Sequence, residues 1–550
     1  MKKIDYLIIG AGSAGCVLAD RLSENPSINV LVLEAGGPDN DINVHIPGGY
    51  SKIFKSKRDW GFWTEPQEHV LNRKIYLPRG KMLGGCSSNN ALAYVRGNRA
   101  DYDGWAALGN KGWDYNKILP YFKKSENHEH IDQLDSGYHS DKGSLKVSFP
   151  TRYRTPFADA FIKASEQAGI PHNSDYNGAE QKGASICQMT ISNGRRQSGA
   201  VAFLKPALKR PNLKAITKAR VSKILFEKNK AVGVEYLDKN NNKHTVHVEG
   251  EIILSAGAFQ SPQILLLSGI GNAEELKSSG VNCIHELNGI GKNLQDHLMT
   301  SVSAKAKQQE GLNHYIPIWG QVKGFADYLV NKKGGLMIGP LEAMSFIDLN
   351  QNGGTANFQF HFAPMYTGKG FDYDMYDSAT FPKNDGFTIL PSLLHPKSRG
   401  FVKLKSNDPL ANPMIQPNFL QEQDDLDQLV KGTKIALDII KQSAFDSYRE
   451  EITAPLDYSS DEAIINHIKN IVETIYHPVG TCKMGHDEMA VVDDQLRVHG
   501  IENLRVVDAS IMPKIVTGNT NAPTFMIAEK AADMILNKVA QSADVKQNVT

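Results

Sequence analysis

The chain has 550 residues, 61 Lys and Arg against 60 Asp and Glu, and a formal net charge of +1. That length exceeds one ordinary core and predicts two structural domains, while the balanced charge favours neither nucleic acid nor an anionic membrane surface as partner. Five cysteines without a C-x-x-C pair argue against a disulfide framework and fit a reducing compartment. With no apolar run near the ~18 residues of a membrane span, a soluble, cytoplasmic protein is expected.

In chain order, an apolar run from Tyr6 to Ile9 meets Gly10, Gly12 and Gly15 in a G-x-G-x-x-G. A helical pattern follows, then a second strand from Val30 to Leu33 ending in Glu34, 19 positions after Gly15. This is a complete βαβ unit. Backbone N–H groups at Gly10, Gly12, Ser13, Ala14 and Gly15 are placed to meet a pyrophosphate, and Glu34, followed by Ala35, to accept ribose hydroxyls. The spacing does not separate a flavin from a nicotinamide cofactor.

From about residue 120 to 145 the chain turns polar and His-rich, and His128, His130 and His139 read as part of a solvated surface excursion rather than a metal site. "EIILSAGAFQSPQILLL" predicts a strand to Leu254 and a helix with Ser261 as N-cap and Pro262 at its first position. "ANFQFHFAPM" and "GFVKLKS" read as strands of a second, sheet-plus-helix region between about 300 and 470. A strand ending at Asp508 is followed by a long turn and a helix with Pro523 in its first turn, and the polar tail from about Gln541 reads as disordered.

The loop "YHPVGTCKMG", residues 476–485, leaves three readings open: a metal loop, a cysteine nucleophile with its base, or a site that needs only the histidine. His477, Cys482 and His486 have spacings reminiscent of zinc ligands but lack a fourth. Cys482 as a nucleophile has no visible acyl or phosphoryl partner, and a packed thiol is the simpler reading.

"RGKMLGGCSSNNALAYVRGNRADYDGW", "GAFQSPQILLLSGIG", "GKNLQDHL", the 476–485 loop and "RVVDASIMP…GNTNAPTFMIAEKAA" together resemble, in order, the signatures of the glucose/methanol/choline oxidoreductase family. The resemblance implies FAD and oxidation of an alcohol to a carbonyl. Its fold is α/β, or α+β overall: a Rossmann-like FAD-binding domain (1–150, 190–297 and 475–550) with an inserted substrate domain on an antiparallel sheet with helices (151–189 and 298–474).

It further implies flavin contacts at Gly84, Gly85, Cys86, Asn89, Asn90, Ala91, Leu92 and Ala93, and at Trp60, whose alternative is a core aromatic. Val221 would lie at the adenine, Asp508 and Ala509 near the ribityl chain, and Pro523 beside them. Asn89 stands where some relatives carry a flavin-tethering histidine, so non-covalent FAD is expected. His477 is the expected base. The second active-site position falls on Asn521, 44 residues later, as a donor to the alcohol oxygen. The final helix's N-terminal dipole would favour negative charge there.

Choline-oxidising relatives carry a glutamate just after "QDH"; here Leu298 and Met299 follow, which favours a neutral primary or aromatic alcohol, with Tyr476 and Tyr50 as aromatic walls and Met299 beside them. Choline oxidation and a flavin-containing hydroxynitrile lyase remain open. His477 and Leu394 count against a light-driven decarboxylase. The implied electron acceptor is dioxygen or a quinone, and homo-oligomer formation is left open.

Overall fold

The computed structural model describes residues 3–350, 352–370 and 373–547. Two sheets organise it. The first has five parallel strands in the order Leu213–Thr217, Val30–Glu34, Tyr6–Ile9, Glu251–Leu254, Leu504–Val506. By sequence rank this is 3-2-1-4-5, so the winding reverses between Tyr6–Ile9 and Glu251–Leu254 and a crevice opens beyond their carboxyl ends. The strands Tyr6–Ile9, Val30–Glu34 and Glu251–Leu254 are buried along their whole length, as expected of a parallel sheet covered on both faces.

The second sheet is antiparallel, ordered Arg449–Ala454, Val302–Ala306, Gly386–Leu393, Phe358–Ala363, Ala343–Ile347, Gly183–Ile186. Short strands Leu298–Met299 and Glu473–Thr474 pair with each other, and the first also with Gly386–Leu393. Alternation decides its faces. Phe358, Phe360 and Phe362 with Phe387, Ile389 and Leu393 form a core with the helix Gln423–Lys441, which buries Leu426, Leu429, Val430, Leu437 and Ile440 at helical spacing. Gly432 permits this closeness: a Cβ there would lie 2.1 Å from the Phe358 ring. The intervening His361, Ala363, Thr388 and Leu390 face the crevice.

Three expectations are corrected here. The helix after Leu254 begins at Gly257 with Ala256 as its N-cap, not at Pro262 with Ser261 as N-cap, and holds both Ser261 and Pro262 inside it. Asp508 explains the early start, since its Oδ2 accepts from the N–H of Gly257 (2.8 Å) and from Ser261 Oγ (2.6 Å). Pro262 cannot donate to the carbonyl of Ala258, and Thr481 Oγ1 donates to it instead at 2.6 Å. The His-rich stretch is not a solvated loop: His128 and His139 are buried. Arg96 pairs with Glu126 (2.8 Å), and His139 bridges Glu126 (3.1 Å) and Asp175 (3.0 Å). Burial opposes charge on His139, but those two carboxylates outweigh it and hold its pKa above the usual range. The final helix runs Asn521–Gln547, so the expected disordered tail is helical that far, and residues 548–550 lie outside the described residues.

Candidate active site

A single long cavity runs from the glycine-rich turn, past Glu34, Trp60 and Val221 on one side, to His477 under the second sheet. At its first end, glycines do what no other residue could. Gly10 has φ +100°, and a Cβ on it would meet the Ser255 carbonyl at 2.5 Å, the strand crossover itself. A Cβ on Gly15 would lie 1.9 Å from the Gly10 carbonyl, so Gly15 sets the approach of the helix Ser13–Leu22 to the strand before it. Gly85, at φ +50°, faces the Gly12 Cα, where a Cβ would come within 2.7 Å. The first N–H groups of that helix have no partner inside it and open onto the cradle.

Glu34 is buried, its Oε2 accepting from the Ala11 N–H and its Oε1 from the Gly36 N–H, both at 2.7 Å. Burial raises its pKa, with those two bonds acting the other way. A carboxylate has lone pairs beyond these two, so the side chain that pins the turn can also take a ribose hydroxyl. Trp60 stacks on Phe62 (5.7 Å, 7°) and carries Lys81 (4.6 Å) and Arg220 (5.2 Å) over its ring, next to Val221.

Gly12, Ser13, Ala14, Ala35, Cys86, Asn89, Asn90, Ala91, Leu92, Ala93, Ala509, Met299, Tyr50 and Tyr476 also line the cavity, whereas Gly15, Gly84 and Pro523 do not. Gly84 has φ +87°, and a Cβ on it would meet Ser88 Oγ at 2.2 Å, so it shapes the turn from behind. Asp508 lines the wall, but both its oxygens hold backbone or Ser261.

The second end is built from side chains. The segments 291–298 and 476–481 lie side by side, with Gln295 and Val479 exchanging N–H···O bonds (3.1 and 2.9 Å). Gly480, at φ +91°, fits under the Asn293 carbonyl where a Cβ would lie at 2.5 Å. Asp296 accepts from the His477 N–H (2.8 Å) and from Thr474 Oγ1 (2.6 Å). Its burial raises its pKa to about 6 against those bonds and Arg79. Tyr476 has the left-handed φ of +65°, its carbonyl accepting from Arg79 Nη2 at 2.6 Å. Such strain in a non-glycine residue is held only where surroundings over-determine it.

His477 is thereby fixed with its Nε2 3.2 Å from Asn519 Nδ2 and its Nδ1 3.0 Å from His297 Nδ1. With the Asn519 amide donating, Nε2 carries the lone pair and Nδ1–H donates to His297. Burial first, then the neighbouring His297, His361 and Arg79, depresses the His477 pKa well below its ordinary value. Burial lowers His297 to about 3 and His361 to about 4. The imidazole is therefore a neutral base at physiological pH.

Asn521 is not the amide on His477. Its Oδ1 accepts from Ser13 Oγ at 2.8 Å, at the mouth of the glycine-rich turn. It starts the final helix, so its side chain points toward the helix Ser13–Leu22, while Asn519, two residues before the helix and directly after Gly518 at φ +108°, reaches His477. His361 Nε2 and Asn519 Oδ1 are buried with no hydrogen-bond partner at normal distance. Asn519, His297, His361 and Asp296 were all missed by the sequence reading. Cys482 is buried, with burial pushing its thiol pKa up, and no group of three metal-ligating residues exists among the described residues.

The family profile described as GMC oxidoreductase matches residues 4–299 and 396–528. The chain is a GMC oxidoreductase. It is 42% identical over 541 residues to the alcohol dehydrogenase [acceptor] of Pseudomonas putida, covering 97% of this chain and 96% of that one. It is likewise 42% identical over 540 residues to the oxygen-dependent choline dehydrogenase of Cronobacter sakazakii, covering 97% and 95%. Pyridoxine 4-oxidase from Mesorbium loti superposes with a TM-score of 0.87 at 29% identity, covering 96% and 99%. This GMC oxidoreductase is thus an FAD-dependent enzyme acting on CH–OH donors. The cradle of Gly10, Gly12 and Gly85, which side chains would fill, fits the dinucleotide, and no helix among the described residues is long and apolar enough to cross a membrane.

Proposed function

We propose that the enzyme oxidises a neutral primary alcohol, aliphatic or aromatic, to its aldehyde, with His477 Nε2 as the proton acceptor and Asn519 as the amide that orients the hydroxyl. The observation that carries this is a neutral, buried imidazole on the cavity wall whose Nε2 lone pair accepts from the Asn519 amide at 3.2 Å, a position that an alcohol hydroxyl takes over when it binds between the two side chains. The glycine cradle, Glu34, Val221 and the 85–93 turn hold the dinucleotide non-covalently, with Asn89 at the position of a tether. Bound FAD supplies the two-electron oxidant that takes the hydride from the carbinol carbon.

The alcohol proton passes to His477 Nε2. The resulting imidazolium is stabilised through Nδ1–H on His297 and held in place by Asp296 at its backbone. The Asn519 amide holds the alcohol oxygen as its bond order to carbon rises, which a neutral amide can do without taking a proton. Tyr50, Phe54, Met299, Met365, Phe381 and Leu390 exclude water around that oxygen.

Among the described residues, the carboxylates on the cavity wall are Glu34 and Asp508, both at the dinucleotide half, and none of them faces the substrate half as an anion for a quaternary ammonium. This favours neutral alcohols over choline, the substrate in the name of one relative. Anaerobic mixing of the yellow protein with benzyl alcohol, hexanol and choline tests it by loss of flavin absorbance. Bleaching by the first two and not by choline is expected. Bleaching by choline alone would overturn the substrate class, and cyanohydrin cleavage without bleaching would overturn the redox reading. Admitting air and timing reoxidation then separates dioxygen from a quinone as acceptor.

A further inference from the structure

The most exposed apolar side chains lie together on one short element. The helix Ile318–Ala326 and the π-helical turn Asp327–Asn331 that continues it present Ile318 (67% exposed), Trp319 (80%), Val322, Phe325, Leu329 and Val330 (79%) to solvent. These positions recur at helical spacing, so they form one stripe. The opposite side is anchored: Tyr328 packs on Ile46 and Met337, and its hydroxyl donates to the Gly194 carbonyl at 3.0 Å. The stripe is therefore outward by construction, not for want of packing.

Its border is basic. Lys323 is exposed on the helix, and Lys332 and Lys333 are exposed directly after the turn that ends it. Arg195 acts on Tyr328 electrostatically, and Arg152 bonds Asn193 in the same turn. The acid on the element, Asp327, already accepts from Asn331 Nδ2. Self-association through this face would set like charges against each other, since a two-fold interface matches a patch with its own copy. An apolar stripe with an outward tryptophan and a lysine border matches the interfacial amphipathic helix, which lies in the plane of an anionic lipid surface.

We propose that the 318–333 segment docks the enzyme on anionic lipid, lying on the bilayer rather than spanning it. The cavity lies beside this face: Tyr50 follows the Gly48 that packs on Leu336, and Pro340 and Leu341 line the cavity just beyond the element. Docking sets the alcohol site against the phase in which lipophilic alcohols and quinones dissolve, a consequence that rests on the function proposed above. The docking itself does not.

The test is flotation of the purified holoenzyme with vesicles of phosphatidylcholine, with and without phosphatidylglycerol. Binding only to the anionic vesicles is expected. Trp319→Ser should weaken it by at least about tenfold. The triple variant K323Q/K332Q/K333Q should lose about fivefold per lysine, roughly hundredfold in all. Each variant should keep the flavin ratio and its bleaching by alcohol, which shows that it folds. Absence of flotation by the wild type, or equal flotation of the variants, overturns the proposal. So does light scattering that shows a dimer which Trp319→Ser converts to monomer.

Discussion

The two ends of the cavity are made by opposite means. At the dinucleotide end the working surface is backbone, exposed because side chains are missing: Gly10 and Gly12 come from one short turn, which Gly15 packs from behind, and Gly85 from a second turn set against it. At the other end the working surface is side chain, and His297, His361, His477 and Asn519 come from four segments far apart in the chain. A backbone site tolerates nothing larger, whereas a side-chain site tolerates truncation of its members without losing the fold. Substitutions at the two ends should therefore fail differently.

The largest effect is expected at the first end. Gly15→Val drives a branched side chain into the Gly10 carbonyl, which already stands 1.9 Å from an added Cβ, and rigid backbone cannot yield. The purified variant should carry almost no flavin, read as the ratio of absorbance in the flavin band to that of protein. A yellow, active Gly15→Val protein would break the contrast.

His477→Ala comes next, and it should keep its flavin. Removing a positioned base lowers kcat/KM by about 10²–10⁴, measured as the rate of anaerobic bleaching by the best alcohol. Asn519→Ala follows, with a loss of about 10-fold to 10²-fold and an unchanged flavin ratio. Asn521→Ala should leave bleaching almost intact and cost about 1 kcal/mol of stability through the lost bond from Ser13. The reverse ranking of the two amides would return the second active-site position to Asn521.

Acid should reveal the same end of the cavity. His297, His361 and His477 all have folded-state pKa values below the unfolded one near 6.5. The unfolded chain therefore binds more protons between those values and pH 6.5, so their contribution is whole above pH 6.5 and shrinks as pH falls toward the folded values. The loss is roughly 1 kcal/mol per histidine per pH unit. Asp296, raised to about 6, works in the other direction, gaining stability as pH falls from 6 toward the unfolded carboxylate value. Glu342 and Glu473, each raised by burial to about 7, act in the same direction as Asp296, so the histidine contribution is read as a difference: between pH 7 and pH 5 the denaturant midpoint of the wild type should fall relative to that of His361→Gln. Over the same range kcat/KM should show no inflection at 6.5, because His477 stays neutral well below it.

The difference between the ends also decides what could be read from the chain. A glycine turn is local, so Gly10, Gly12, Gly15 and Glu34 announced the crevice at fixed spacing. His477 was marked by its own loop. Asn519 was not separable from Asn521 in "GNTNAPT", because the choice rests on where the last helix begins and on the left-handed Gly518 before it. His361 did leave a signal: in "FQFHF" the three phenylalanines claim one face of a strand, which sends the histidine to the other. His128 and His139 misled by composition, since the ion-pair cluster that receives His139, Glu126 with its partner Arg96 and Asp175, is assembled from segments apart in sequence. The exposed stripe at 318–330 was hidden by a net charge of +1, an average that cannot report five cations gathered around one helix.

The smallest effect concerns the joint between the two ends. Pro262 leaves the Ala258 carbonyl without its helical donor, and Thr481, four residues after His477, supplies one. Thr481→Val keeps the shape and removes the donor, so a buried acceptor goes unpaired at a cost of about 1–3 kcal/mol. Pro262→Ala restores an N–H at that position and should recover part of the loss, whereas in the wild type the same change finds the carbonyl already occupied. The four proteins form a double-mutant cycle, read by thermal midpoint and by kcat/KM. A coupling near zero would mean that the hydroxyl is a bystander. A positive coupling in stability with little change in turnover would show that the 476–481 loop is fastened to the dinucleotide-side helix through this one bond, independently of the imidazole it presents.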